Sequence, residues 1–203
     1  MIAIIDYGVG NIRAFANIYR RLGIAAATVT TPEALEGAEK IILPGVGAFD
    51  WTMERLDASG MRGTLDRLVL EKEVPVLGVC VGMQMMGRRS DEGVRPGLGW
   101  IDAEVIRFDD RDFNDATHLP HMGWNDVEPT ASDTLFRGIA DPRYYFLHSY
   151  YVRPAAKATI LARTRYGVEF ASAIRSGHIY GAQFHPEKSH DWGISLLRNF
   201  AEI

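Results

Sequence analysis

Cysteine is the scarcest side chain here: Cys80 is alone among 203 residues. A lone thiol cannot close an internal disulfide, which excludes a stapled extracellular scaffold and points to a reducing, cytoplasmic setting. Positive charge is not in excess either, since 22 Lys+Arg stand against 26 Asp+Glu, a formal net charge of -4. That balance lacks the basic footprint a nucleic-acid partner demands. Long hydrophobic runs are missing too. None approaches the ~18 to 20 residues of a membrane span. The opening MIAIIDYGVGN has no basic segment ahead of its apolar residues and an acid at position 6, so it reads as a strand rather than a secretory signal. Repeats, low-complexity tracts and Pro/Ser-rich linkers are absent as well. What remains, 47% hydrophobic and 24% charged residues, suits one sizeable core and a single domain over 1–203.

The first half alternates short apolar runs with helical patterns. IAIID (2–6) predicts a buried strand. NIRAFANIYRRLG (11–23) places Ile12, Phe15, Ile18, Tyr19 and Leu22 on one helical face, with Asn11 as N-cap and Gly23 as stop. AATVT (26–30) reads as strand, and TPEALEGA as a short helix capped by Thr31 with Pro32 at its first position. KIILPG (40–45) runs from strand into loop, helices follow in 49–57 and 60–72, and VPVLGVC (74–80) leads into the helix VGMQMMGRR. This alternation predicts an α/β fold, a flavodoxin-like open and mostly parallel sheet with helices on both faces. The second half changes character: AEVIRF, MGWNDVEP, YYFLHSYYVRP, ATILARTRY and EFASAIRSGHIYGAQF predict antiparallel strands before a final helix at 191–203.

Ligands of open parallel sheets sit at the carboxyl ends of strands. Those ends are Asp6-Tyr7-Gly8, Pro44-Gly45-Val46-Gly47 and Cys80. DYGVGNIR has the setting of a dinucleotide fingerprint, but Arg13 stands where a small third residue is needed. TVTTPE also ends the second strand in threonines rather than an acid. The segment is read as a tight turn that starts a helix, with no cofactor.

Gly78-Val79-Cys80-Val81-Gly82 has the spacing of a nucleophile elbow with cysteine in place of serine. A sharp strand-to-helix turn strains the nucleophile's backbone and leaves no room for a Cβ two residues away. The following helix is expected to aim its free N–H groups and positive end at the sulfur, favouring thiolate. A thiolate needs a base and an orienter. Among the histidines, His185 in IYGAQFHPEKS ends an apolar strand, with Glu187 two residues on. In an extended segment these two point the same way, so Glu187 can fix the imidazole tautomer while Pro186 stiffens the turn. His148 in YYFLHSYY is the rival base. His185, Glu187 and His190 match no common ligand spacing, so no metal is assigned. ILPGVGAF supplies backbone N–H groups around Gly45, Val46 and Gly47, the donors a tetrahedral oxyanion requires.

GVCVGMQ and QFHPEKS together resemble the elbow and His-Pro-Glu segments of the class I (triad) glutamine amidotransferases. Within that class, DYGVGNI, LPGVGAF, GVCVGMQ, LPHMGWN, YYFLHSYYV and GAQFHPEKSHDWG are similar, in order from residue 6 to 193, to the HisH-type glutaminase subunits of imidazole glycerol phosphate synthases. The resemblance implies one amidotransferase type 1 domain that hydrolyses L-glutamine to glutamate and ammonia without a cofactor. It implies a catalytic triad of Cys80, His185 and Glu187, with the backbone at Val46 and Gly47 and the N–H of Val81 as oxyanion hole. Gln84, His148, Ser149 and Tyr150 would hold glutamine. Met122, Trp124, Asn125 and Lys188 would face a HisF-like (β/α)8-barrel cyclase in a heterodimer, to which ammonia passes for histidine biosynthesis. The Val46 loop would turn productive only when that partner binds its own ligand. Two segments depart from this pattern. GLGWIDAEV, with Trp100, and HDWG (190–193) resemble a paralogous branch that supplies ammonia to a surface-polysaccharide sugar amidotransferase. Readings of other kinds are a partner-independent cysteine hydrolase and a non-catalytic binding module.

Overall fold

The computed structural model describes residues 1–113, 118–130 and 134–203. The chain opens with β1 (Ile2–Ile5), buried throughout, and α1 (Ile12–Leu22), which buries Ile12, Phe15, Ile18 and Tyr19. Each such side chain contributes about 1.5–3 kcal/mol when removed from water. Gly23 ends α1 at φ 68°, a left-handed position where its N–H reaches the carbonyls of Arg20 and Tyr19. There follow β2 (Ala26–Val29), α2 (Pro32–Leu35), β3 (Lys40–Gly45), α3 (Phe49–Ala58) and α4 (Arg62–Asp66). The helix expected over 60–72 is therefore shorter, and a π turn (Arg67–Glu71) completes it. Thr31 caps α2 as expected, its hydroxyl accepting from Ala34 N–H at 3.3 Å.

Next come β4 (Val76–Cys80), α5 (Val81–Met85), β5 (Arg89–Ser90) and β6 (Ala103–Arg107). The second half adds β7 (His121–Asp126), β8 (Glu128–Pro129), β9 (Arg143–His148), β10 (Tyr150–Pro154), β11 (Ile160–Tyr166), β12 (Val168–Ser176), β13 (Ile179–Ala182) and α6 (His190–Ala201). Among the described residues, eight strands form one sheet in the order β2-β1-β3-β4-β13-β12-β11-β8. Its left part is parallel, and β12, β11 and β8 are antiparallel. The expected mixed architecture holds, with one refinement. β13 leaves an antiparallel hairpin with β12 yet lies parallel to β4, in the register Ala182↔Val79. Parallel neighbours finish at the same sheet edge, so the chain after β13 arrives where β4 ends.

Candidate active site

Cys80 ends β4 at φ 56°, ψ -114°, a strained conformation for a residue with a side chain. The two elbow glycines explain how the turn closes. A Cβ on Gly82 would stand 2.0 Å from the Leu43 carbonyl oxygen, and one on Gly78 2.7 Å from the Gly82 carbonyl oxygen. Gly45 is part of the same contact: it pairs with Cys80 across β3 and β4, and a Cβ there would meet Gly82 N at 2.2 Å. Its lack of a side chain serves backbone packing beneath the elbow. The helix that follows, α5, has only five residues. So short a helix has a small macrodipole, and the charge beside the sulfur comes from elsewhere.

It comes from His185, three residues past β13. His185 Nδ1 and Glu187 Oε1 are 2.9 Å apart, and both side chains are buried. The approach does not come from an extended strand, as the sequence had suggested. Pro186–Lys188 form a 3-10 turn that folds Glu187 back under the ring. Burial by itself would lower the pKa of His185. The charge of Cys80, a hydrogen bond to it, and the Glu187 carboxylate outweigh burial and raise it to about 10. The ring is thus held as imidazolium beside the sulfur at neutral pH.

The sulfur opens onto a cavity of about 310 Å³ lined by Val46, Gly47, Val81, Glu92, Ser149 and Lys188 among others. That lies at the small end of the ~300–1,000 Å³ range of small-molecule sites. Val46 carbonyl accepts from the buried Thr52 hydroxyl at 3.0 Å, which ties the loop after β3 to α3. Among the described residues no group of three or more His, Cys, Asp or Glu is arranged to hold a metal. Nor is any helix long and apolar enough to cross a membrane.

Residues 3–203 match the glutamine amidotransferase class-I family. The chain belongs to that family. It is 54% identical over 204 residues to the imidazole glycerol phosphate synthase subunit HisH of Bdellovibrio bacteriovorus, covering 100% of both chains. It is 48% identical to the subunit named HisH 2 of Pseudomonas aeruginosa, again over 100% of each. A crystal structure of a glutamine amidotransferase superposes with TM-score 0.76 at 22% identity, covering 100% of both, which is a likeness of fold. The chain is accordingly a glutaminase, and glutamine is the substrate against which the cavity is read.

The amidotransferase site uses both glutamines of the chain internally. Gln84 Nε2 donates to the Tyr150 carbonyl and to Gln183 Oε1, each at 3.1 Å, and Gln183 Nε2 donates to Cys80 Sγ at 3.8 Å. The carbonyl of Tyr150 can only accept, which fixes the orientation of the Gln84 amide. His148 is equally engaged. Its Nδ1 lies 2.8 Å from the Tyr150 carbonyl and its Nε2 2.9 Å from His121 Nδ1, so neither ring nitrogen is free for substrate or for Cys80. Burial also lowers its pKa to about 3. His148 lines the cavity together with Ser149 and Tyr150, but with both ring nitrogens already engaged.

On the outer face, Met122, Trp124 and Leu147 are exposed, and Lys188 lies over the Tyr145 ring at 5.6 Å. Asn125 is half-buried, its amide 3.1 Å from His121 Nε2 and donating to the Arg165 carbonyl at 3.0 Å. Trp100 sits in the core with Nε1 donating to Asp66 at 2.7 Å. Sequence reasoning missed Gln183, Glu92 and the contact made by Asn11. Gln183 carried a signal: it stands two residues before His185, directly after β13. Glu92 carried none, being brought in by a loop, with Phe49 N–H donating to its Oε2 at 2.9 Å.

Proposed function

We propose that Cys80, His185 and Glu187 hydrolyse the side-chain amide of glutamine, and that the ammonia passes to a HisF-like (β/α)8-barrel subunit. The observation that supports the triad is the parallel pairing of β4 with β13, by which the thiol and His185 line one cavity, with Glu187 buried against the ring. Cys80 Sγ attacks the carboxamide carbon and forms a C–S bond. The imidazolium of His185 gives its proton to the departing nitrogen as the C–N bond breaks, releasing ammonia. Water then attacks the thioester carbon, His185 takes its proton, and glutamate leaves with the thiolate restored. The oxyanion would be met by the N–H of Val81 and by backbone around Val46 and Gly47, once the Thr52 tie on the Val46 carbonyl permits. Glu92, the one carboxylate lining the cavity among the described residues, suits the substrate's α-ammonium group. Gln84, Ser149 and Tyr150 complete the wall against its amino-acid end.

The partner reading is supported by the names of the relatives and by one structural link. Leu147 is exposed on the outer face while its carbonyl oxygen lies 3.9 Å from Cys80 Sγ. A partner seated on Met122, Trp124, Asn125, Leu147 and Lys188 would therefore rest directly over the nucleophile. In histidine biosynthesis the barrel's acceptor would then give imidazole glycerol phosphate and AICAR. The segment His190–Gly193 favours a second reading, since His190 stacks on Trp124 at 5.2 Å and Trp192 joins them. This one of the two segments that resemble the polysaccharide-linked branch would thus form part of the partner face, where a different barrel and a sugar acceptor would be distinguished.

Co-purification from the native source identifies the barrel and its acceptor. In the reconstituted complex, Cys80→Ser should lower glutamine-dependent synthesis about a thousandfold or more and leave synthesis from ammonium salts intact. Loss of both would count against the proposed role. Full glutaminase turnover by the isolated chain, unchanged on adding the barrel and its ligand, would favour a partner-independent hydrolase.

A further inference from the structure

Asn11 occupies the N-cap position of α1, but its side chain makes no bond to the helix's free N–H groups. Nδ2 donates instead to Glu187 Oε1 at 2.8 Å, across 176 positions of sequence. A capping bond ordinarily stabilises a helix, and the sequence forgoes it for this contact. The same carboxylate oxygen lies 2.9 Å from His185 Nδ1, and the other, Oε2, is buried with no hydrogen-bond partner among the described residues. A buried carboxylate needs donors to stay ionised. Here Asn11 supplies one that does not change with the reaction, while the His185 ring must gain and lose a proton at its far nitrogen. The loop before Asn11 is also held in place. Gly10 has φ 101°, and a Cβ there would stand 2.6 Å from Pro44 Cβ, so the start of α1 is packed onto the end of β3.

We propose that Asn11 is a positioning residue of the glutaminase reaction, holding the Glu187 carboxylate aimed so that His185 presents its other nitrogen to Cys80. This rests on the triad reading above. The test is a double-mutant cycle on glutamine hydrolysis by the full chain, with folding checked by circular dichroism. Asn11→Ala should lower kcat by about ten- to a hundredfold, the loss expected for one hydrogen bond to a charged group, with KM within about twofold of wild type. In a Glu187→Ala background the same substitution should change kcat less than about twofold, because the group it acts through is gone. Equal losses in both backgrounds, or an Asn11→Ala chain with wild-type kcat, would overturn the proposal. Should the alanine chain not fold, Asn11→Asp carries the test. Ionised, it cannot donate and repels Glu187, so kcat should fall at least as far, and wild-type kcat would again count against the idea. Wild-type activity in Glu187→Ala alone would overturn the triad reading instead, which separates the two failures.

Discussion

At the residue scale, the absence of a side chain matters as much as the presence of one. Gly45, Gly78 and Gly82 let three backbone segments meet under Cys80, and the closest approach is to fixed main-chain atoms. A methyl group on Gly82 cannot be relieved by a rotamer change, so β3 and α5 must separate. Gly82→Ala should therefore destabilise the fold by roughly 1–3 kcal/mol or more and remove glutaminase activity with it. Gly63 in α4 has open space around it and no positive φ. Gly63→Ala should stabilise by about 0.4–1 kcal/mol. Urea denaturation of the two variants tests the pair; a neutral Gly82→Ala would mean that the elbow is looser than these distances imply. The glycine spacing around Cys80 was legible from sequence because steric demand repeats in every such turn. The Asn11 contact was not, since a side chain beside a helix start reads locally as a cap.

At the element scale, the β7–β9 pair carries a proton-ordered chain of hydrogen bonds. The Tyr150 carbonyl can only accept, so His148 Nδ1 carries the proton and its Nε2 accepts from His121 Nδ1. His121 Nε2 then accepts from the Asn125 amide. Every link requires both rings to be neutral. Burial lowers the pKa of His121 to about 4 and, with the neighbouring His121 adding to it, that of His148 to about 3. Both lie below the unfolded value of about 6.5. Below that pH the unfolded chain binds protons that the folded one refuses, so stability is complete above it and declines as pH falls. From pH 7 to 5.5 the two histidines should together cost about 2–3 kcal/mol. His185 has the opposite sign: its raised pKa favours the fold below about 6.5, and that contribution is lost as pH rises through about 10. Urea midpoints across this range check the acid side, and a flat profile between pH 7 and 5.5 would show that the rings charge within the fold. YYFLHSYYVRP was readable as strand, and the structure buries Tyr144, Phe146 and His148 on one face of β9. Its pairing with β7, and hence the histidine chain, depends on register across more than twenty residues.

At the scale of the whole molecule, the nucleophile and the exposed apolar face are two sides of one thin layer. Trp124 is 37% exposed and stacked on His190, while Met122 is 65% exposed beside it. Large apolar side chains clustered at a surface mark an interaction site, and a central tryptophan commonly dominates the binding energy. On the proposed partner reading, Trp124→Ala should weaken binding of a barrel subunit by about 30-fold or more, the loss of about 2 kcal/mol typical of such an anchor. Alkylation of Cys80 by a glutamine-like electrophile in the isolated chain should stay near wild type, because Trp124 does not line the cavity. Titration calorimetry and labelling rates read the two effects separately, and unaltered affinity would move the interface elsewhere.

Local patterns by themselves determined the alternation of strands and helices and the strained turn at Cys80, and they singled out His185 and Glu187 as candidates to stand beside it. Each of these follows from periodicity, from steric rules of tight turns or from short spacing, and such rules act within a few residues. Tertiary structure alone decided that β13 lies parallel to β4 and that Asn11, Gln183 and Glu92 reach the site. Those contacts join segments tens to well over a hundred residues apart, and burial in a common core, not any local preference, selects which of them meet.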